Sequence, residues 1–277
     1  MEYSLKTLKD EMKTNNFNFK KMFGQNFIID ENITNRIVEL ADIDKNTLAI
    51  EIGPGAGALT TKLCQKAGNV LCYEIDTSLK PILDKMLENY DNVNVLFKDF
   101  LKSDVQSDIE SYNYDKLYVV ANLPYYITTP IIIKLIEDNI MPDKIVVMVQ
   151  KEVGNRFKAP VGTKDYNSLS IFLNYYFNVK KILDISRNVF IPKPNVDSIV
   201  VEFSKKEKKL DLKNKELFFK LIRDSFKQKR KTLKNNLKEY DLEKVNEVLS
   251  KYNLDTSIRA EQVSIDIFVD IANNLDD

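Results

Sequence analysis

Thr47-Leu-Ala-Ile-Glu-Ile52, followed by Gly53-Pro-Gly-Ala-Gly57, decides how this chain folds. The first six residues read as a short buried strand. Leu59, Leu63 and Ala67, after the glycines, read as one face of a helix. The chain has only seven glycines, and three fall within these five positions. A strand, a glycine-rich turn and a helix in that order let backbone approach a ligand at a helix N-terminus. The rival is a dinucleotide-binding turn, G-x-G-x-x-G. Here the third glycine comes one residue early and Pro54 fills the first gap. A turn serving only tight strand–helix packing is the plainer alternative.

Working outward, two acidic residues stand at the ends of later strands. Asn69-Val-Leu-Cys-Tyr-Glu-Ile75 reads as a strand carrying Glu74, some twenty residues beyond Gly53, where a carboxylate can accept from ribose hydroxyls. Val93-Asn-Val-Leu-Phe97 runs into Lys98-Asp99-Phe100, so Asp99 can accept from an adenine amino group. Taken singly, each acid is as well explained as a solvated loop residue. The apolar run Leu117–Ala121 ends in Asn122-Leu123-Pro124-Tyr125, which combines a carboxamide, a rigid elbow and a flat ring. The Asn122 oxygen and the Leu123 carbonyl can accept both N–H bonds of an exocyclic amine while Tyr125 stacks on the purine. An ordinary strand-end turn uses the same residue types. In an open α/β sheet, ligands collect beyond the carboxyl ends of the strands, so one nucleoside-like cofactor can touch all of these positions.

The ordered set of motifs resembles one known family. Phe23-Gly-Gln-Asn-Phe-Ile-Ile-Asp30, Glu51–Gly57, Tyr73-Glu-Ile-Asp76, Asn122-Leu-Pro-Tyr-Tyr-Ile-Thr-Thr-Pro130, Gln150-Lys-Glu-Val153 and Phe190-Ile-Pro-Lys-Pro-Asn-Val-Asp-Ser198 are similar to the 16S ribosomal RNA dimethyladenosine transferases. The similarity continues through Ser225–Leu233 and Arg259–Ser264; Tyr126 departs from the Asn of many relatives. The resemblance implies N6,N6-dimethylation of two adjacent adenosines near the 3′ end of 16S rRNA, with S-adenosylmethionine as cofactor and no metal. It places cofactor contacts at Asn26, Ile28, Gly53, Glu74, Asp99 and Asn122. It places the amine clamp at Asn122 and Leu123, and the stacking rings at Tyr125 and Phe190. Phe190 alone reads as a core aromatic, but its Phe-x-Pro-x-Pro setting points to a stiff, protruding loop.

Composition removes competing chemistries. The chain has no histidine, which excludes Ser–His and Cys–His catalysis and the commonest zinc ligand. Cys64 and Cys72 fall on a helix face and a strand, without metal or disulfide spacing, and read as small buried hydrophobes. No secretory signal opens the chain, and no run reaches the roughly 18 apolar residues of a membrane span. The expectation is a cytoplasmic monomer that works on 16S rRNA within the small subunit or its precursor, away from membranes.

At 277 residues and 44% hydrophobic composition, the chain can bury a full core and divide into two domains. Strand patterns near 47–52, 69–75, 93–98, 117–121 and 144–150 alternate with helical ones, which predicts a mainly parallel sheet. Two further strands, 177–185 and 197–204, lack a helix-length connection and predict an antiparallel edge. The predicted fold is therefore α/β: a Rossmann-like, seven-stranded methyltransferase sheet with one antiparallel edge strand over residues 1–204, and a small all-α C-terminal domain over 205–277. Residues 1–30 would form an N-terminal segment over which RNA and cofactor enter. Net charge is zero, with 41 basic and 41 acidic residues, but it is segregated. Lys205–Lys238 holds 14 Lys/Arg against 4 Asp/Glu, whereas Glu239–Asp277 holds 3 against 10. Such a basic surface can displace counterions from RNA phosphates, and Lys20 and Lys21 can assist. Two other functions stay open: a large-subunit rRNA adenine methylase of the antibiotic-resistance type, and a ribosome-assembly factor that is mainly non-catalytic.

Overall fold

The structure, a computed structural model, describes residues 10, 13–14, 26–123, 127–207 and 210–277. Strands β1 (Phe27–Ile28), β2 (Thr47–Ile52), β3 (Asn69–Tyr73), β4 (Val93–Leu96), β5 (Lys116–Asn122), β6 (Lys144–Gln150), β7 (Phe177–Ile185), β8 (Phe190–Ile191) and β9 (Ser198–Lys205) form two sheets. The large sheet runs β4-β3-β2-β5-β6-β9-β7, and β1 pairs with β8 in a small second one. β2 lies parallel to both β3 and β5, and all six of its residues are buried. Helices cover both faces of such a strand, which is why Leu48, Ala49, Ile50 and Ile52 are apolar with no polar–apolar alternation between the faces; Thr47 and Glu51 are buried with them.

From β2 the chain first builds outward through β3 to β4, then returns to place β5 on the other side of β2. That reversal opens a crevice at the carboxyl ends of β2 and β5, where open α/β sheets hold ligands. β9 runs antiparallel to β6, with Val147 opposite Val201. It lies one strand in from the edge, and β7 takes the edge itself. Side-chain patterning explains this placement. Ser198–Phe203 are all buried, as an interior strand requires, whereas β7 alternates with exposed Asn178, Lys180, Lys181 and Asp184.

Contacts divide the chain into two units, Met1–Gly154 with Lys180–Lys205, and Asn155–Val179 with Lys206–Asp277. The sheet unit buries Leu63, Cys64, Val70, Cys72 and Val120 in one core cluster. The helical unit contains the helices Ser168–Tyr176, Lys215–Ser225, Leu242–Lys251 and Ile265–Asp276. Its core includes Phe218, Leu221, Ile222, Leu249, Phe268 and Ile271, together with Tyr166 and Ile171. Burial of Tyr166 and Ile171 there is what draws Asn155–Val179 to the C-terminal helices across the intervening sequence. Ser264 caps the last helix by accepting from Ile267 N, as its position before an apolar stripe predicts. Lys227, Lys229, Arg230, Lys231 and Lys234 are exposed on this unit. Among the described residues no helix is long and apolar enough to cross a membrane.

Candidate active site

The turn after β2 needs its glycines. Gly53, Gly55 and Gly57 have φ of 71°, 59° and 85°, in the left-handed region that other residues enter at a cost. Gly57 N donates to Pro54 O at 2.9 Å and closes the turn, and Gly53 N donates to Tyr73 O at 2.9 Å. Glu74, one residue past β3, cross-braces it: Oε2 accepts from Gly55 N at 3.1 Å and Oε1 from Asp76 N at 2.8 Å. Burial pushes the Glu74 carboxyl up to about 7, and the donors Asp76 N and Gly55 N hold it from rising further. Each oxygen keeps a lone pair for a ligand hydroxyl.

Asp99 closes the turn after β4 by accepting from Leu101 N at 3.0 Å, and it faces Lys102 at 3.7 Å. Asn122 is the last residue of β5, and its Nδ2 donates to Asn26 O at 3.0 Å. That bond fixes which way the amide lies, so Oδ1 is the acceptor on the other side. Tyr73 OH donates to Asp108 Oδ2 at 2.9 Å, and Lys98 Nζ donates to Asp108 Oδ1 at 2.7 Å, which steadies the strand ends beneath Asp99.

One cavity of about 310 Å³ is lined by Asn26, Ile28, Gly53, Glu74, Asp99, Asn122 and Leu123, so these sequence-identified positions converge. A Cβ added at Gly53 would meet nothing within 4 Å, leaving open space above the turn for a ligand. The volume sits at the lower end of the range for small-ligand pockets. Carboxylates for hydroxyl and amine donors, bare glycine backbone and apolar walls fit an adenosyl cofactor. Among the described residues, no group of three or more His, Cys, Asp or Glu side chains could hold a metal ion.

Phe190 lies elsewhere. It is only 3% exposed, pairs across the small sheet with Ile28, and packs in the core with Ile37 and Val38. The loop that follows is exposed at Pro192, Lys193, Asn195, Val196 and Asp197, but the ring itself is buried because Phe190 opens a strand paired with β1. Arg187 N donates to Asp197 Oδ1 at 3.0 Å, and Arg187 Nη1 donates to Asn195 O at 2.8 Å. Phe190 therefore braces Ile28, a wall of the cavity. Tyr125, Lys20, Lys21 and Phe23–Gln25 lie outside the described residues.

The cavity also has walls that the sequence reading did not assign. Ile75, at the bend after β3, and Leu101, in the helical turn Phe100–Lys102 after β4, are 50% and 36% exposed and give the cavity apolar wall. Their signal was an aliphatic residue just beyond each strand-end acid. Glu51, inside the glycine motif itself, lines the cavity at 1% exposure. Burial pushes its carboxyl up to about 8, against the Thr60 hydroxyl and Cys72 thiol that pull it down and the Glu74 charge that adds to the rise.

Comparison with known proteins identifies the family. Residues 16–277 match the family model described as Ribosomal RNA adenine dimethylase. Ribosomal RNA small subunit methyltransferase A of Bacillus mycoides (strain KBAB4) is 45% identical over 96% of this chain and 94% of its own. The protein of that name from Bacillus cereus (strain AH187) is 45% identical, with the same coverage. Among solved structures, a dimethyladenosine transferase from Plasmodium falciparum superposes with a TM-score of 0.75 at 28% identity, covering 88% of this chain and 95% of that one. The 23S rRNA methyltransferase ErmE shares the fold, with a TM-score of 0.72 at 23% identity, over 91% of this chain and 100% of its own. A glycine turn, two strand-end acids and an Asn-Leu pair meet in one cavity, and the family's pattern spans nearly the whole sequence: the chain belongs to the ribosomal RNA adenine dimethylase family.

Proposed function

We propose that this chain is an S-adenosylmethionine-dependent methyltransferase that dimethylates N6 of two adjacent adenosines near the 3′ end of 16S rRNA, in step with small-subunit maturation. The observation that carries the reading is the single cavity reaching from Gly53, Glu74 and Asp99 to Asn122 and Leu123. The cofactor supplies, when bound, a methyl group already activated on sulfur. What remains for the protein is placement and polarisation. Glu74 and Asp99 hold the nucleoside, and Ile75 and Leu101 flank its ring.

Adenine N6 is a poor nucleophile because its lone pair is delocalised into the ring. Acceptors at Asn122 Oδ1 and Leu123 O draw on both amino hydrogens, raise electron density on nitrogen and favour a pyramidal geometry. The Asn26–Asn122 bond at 3.0 Å holds the amide ready. Such pre-oriented reactants gain roughly 7–11 kcal/mol over free encounter. Methylation makes the attacked nitrogen strongly acidic, so water suffices to remove its proton. The target base must leave its stack at a cost of a few kcal/mol, partly offset by stacking of roughly 1–3 kcal/mol. Tyr125 is assigned to that stacking. Phe190 is assigned to the opposite face, which requires its release from beside Ile28 when RNA arrives. The exposed Lys227, Lys229, Arg230, Lys231 and Lys234 on the helical unit supply the RNA-phosphate contacts.

Replacing Asn122 by Ala tests the clamp. Transfer to undermethylated small subunits should fall by about 10²–10³, the usual loss for one preorganised hydrogen-bonding group. Calorimetric affinity for the cofactor should change far less. Turnover like that of the unmodified protein would overturn the clamp, and methyl incorporation into large subunits alone would overturn the substrate.

A further inference from the structure

Glu51 is a carboxyl in an unusual place. It lies on the central strand β2, flanked in register by Cys72 of β3 and Val120 of β5. It is 1% exposed and yet lines the cavity. Among the described residues its polar contacts are the Thr60 hydroxyl, from the helix Ala58–Lys66, and the weak donor Cys72, whose Sγ lies 3.8 Å from Oε2. The other titratable groups facing it among these residues are Cys64, from that same helix, and Glu74, just past β3. The Cys64 thiol, pushed up to about 12, stays neutral, whereas an ionised Glu74 would repel a charge on Glu51. Among the described residues no cation faces it, so a carboxylate here is a costly state and the group holds its proton.

The picture changes when a permanent cation enters the same low-dielectric cavity, where charges interact far more strongly than in water. Donor and product of methyl transfer differ in this respect. S-adenosylmethionine carries a sulfonium, whereas S-adenosylhomocysteine carries a neutral thioether; both keep the amino-acid ammonium and carboxylate. We propose that Glu51 distinguishes donor from product: neutral in the free protein, it releases its proton when the sulfonium is seated and pairs with that cation, whereas the thioether leaves it protonated. In that step the carboxyl O–H bond breaks, its electron pair stays on oxygen, and the proton passes to water. Spent cofactor thereby loses an ion pair and leaves, which suits an enzyme that must transfer methyl groups repeatedly. The inference rests on the reading that this cavity takes the adenosyl cofactor.

Calorimetric titration of the full chain at pH 7, in phosphate and in Tris, counts protons released because the two buffers differ in ionisation enthalpy. The unmodified protein should release close to one proton more with S-adenosylmethionine than with S-adenosylhomocysteine. Between pH 7 and 8 the donor's Kd should fall with rising pH, toward the limit of about tenfold per unit for one linked proton, while the product's Kd changes less. Glu51→Gln should remove the difference in proton release and lower the donor-over-product affinity ratio at least about fivefold, the lower end of common site coupling. Equal proton release with the two compounds, which the unmodified protein alone can reveal, would overturn the inference. So would a donor–product difference persisting in Glu51→Gln, since Glu74 would then be its source. Failure of the unmodified protein to bind either compound would instead overturn the cofactor reading on which the inference stands.

Discussion

Substituting alanine at Gly55 and at Gly53 separates two uses of the glycine turn. Both positions have left-handed backbone, with φ of 59° and 71°, so each alanine takes on roughly 1–2 kcal/mol of conformational strain. At Gly53 nothing lies within 4 Å of the added carbon, so little else should be lost in the free protein. At Gly55 the new Cβ meets Phe27 Cε1 at 3.0 Å and Cδ1 at 3.1 Å. Phe27 cannot give way cheaply. It is 7% exposed, belongs to a core cluster with Ala56, Leu79 and Leu83, and is tied to Ile191 through the small sheet. Overpacking of that kind costs about 1–3 kcal/mol more. Urea denaturation should therefore find Gly55→Ala less stable by about 2–5 kcal/mol and Gly53→Ala by only about 1–2 kcal/mol. Cofactor affinity should report the other use. The methyl group at Gly53 projects into the ligand's space, so Gly53→Ala should lose calorimetric binding out of proportion to its small loss of stability. Equal stability losses at the two positions would refute the packing argument. Unchanged cofactor affinity in Gly53→Ala would refute the claim that this turn cradles a ligand.

The protonation of Glu51 also affects stability. An unfolded chain releases this proton near pH 4.5 and the folded chain near pH 8, so stability should fall across that window by on the order of 1 kcal/mol per pH unit. Glu74 adds a loss of the same sign that ends near pH 7. Glu51→Gln should flatten the Glu51 contribution in urea titrations from pH 5 to 8; an unaltered slope would mean that Glu51 is ionised in the folded protein. In the helical unit, Phe218 is fully buried, and Phe218→Ala should cost about 3–5 kcal/mol. Its signature should be weakened retention on 16S rRNA with cofactor affinity intact, measured by filter binding and calorimetry.

The parallel sheet was legible because buried strands cannot hide. Thr47–Ile52, Leu117–Ala121 and Lys144–Gln150 are each too short and too apolar for surface helices, and glycine or polar turns bound them. The inner place of β9 was equally present in the sequence, as Ser198–Phe203 carries no exposed face while β7 carries lysines. Chain connectivity alone suggested a hairpin at the edge and left the order of its two strands open. The membership of Asn155–Val179 in the helical unit was not legible in the same way. Nothing local distinguishes Tyr166 and Ile171 from residues that pack on a sheet. Only their partners, Phe218 to Ile271, roughly 50 to 100 residues further on, decide where they are buried.

The site divides along the same line. The meeting of Gly53, Glu74, Asp99 and Asn122 in one cavity was legible because the sheet brings strand ends together whatever the side chains do. Phe190 read alone as a core aromatic, and in the free protein its ring is buried beside Ile28. Glu51 is the more instructive omission. An acid flanked by Ile50 and Ile52 in a fully buried strand violates the pattern that identified the strand, and a buried carboxyl that no cation among the described residues faces lowers stability. Folding gains nothing from it: the same strand would be more stable with an uncharged residue of that size. A group that weakens the fold and also lines the ligand cavity is explained if its compensation arrives with the ligand. Its missing cation is therefore expected from the sulfonium donor, and Gln at this position should make the free protein more stable at pH 8 and the donor complex weaker.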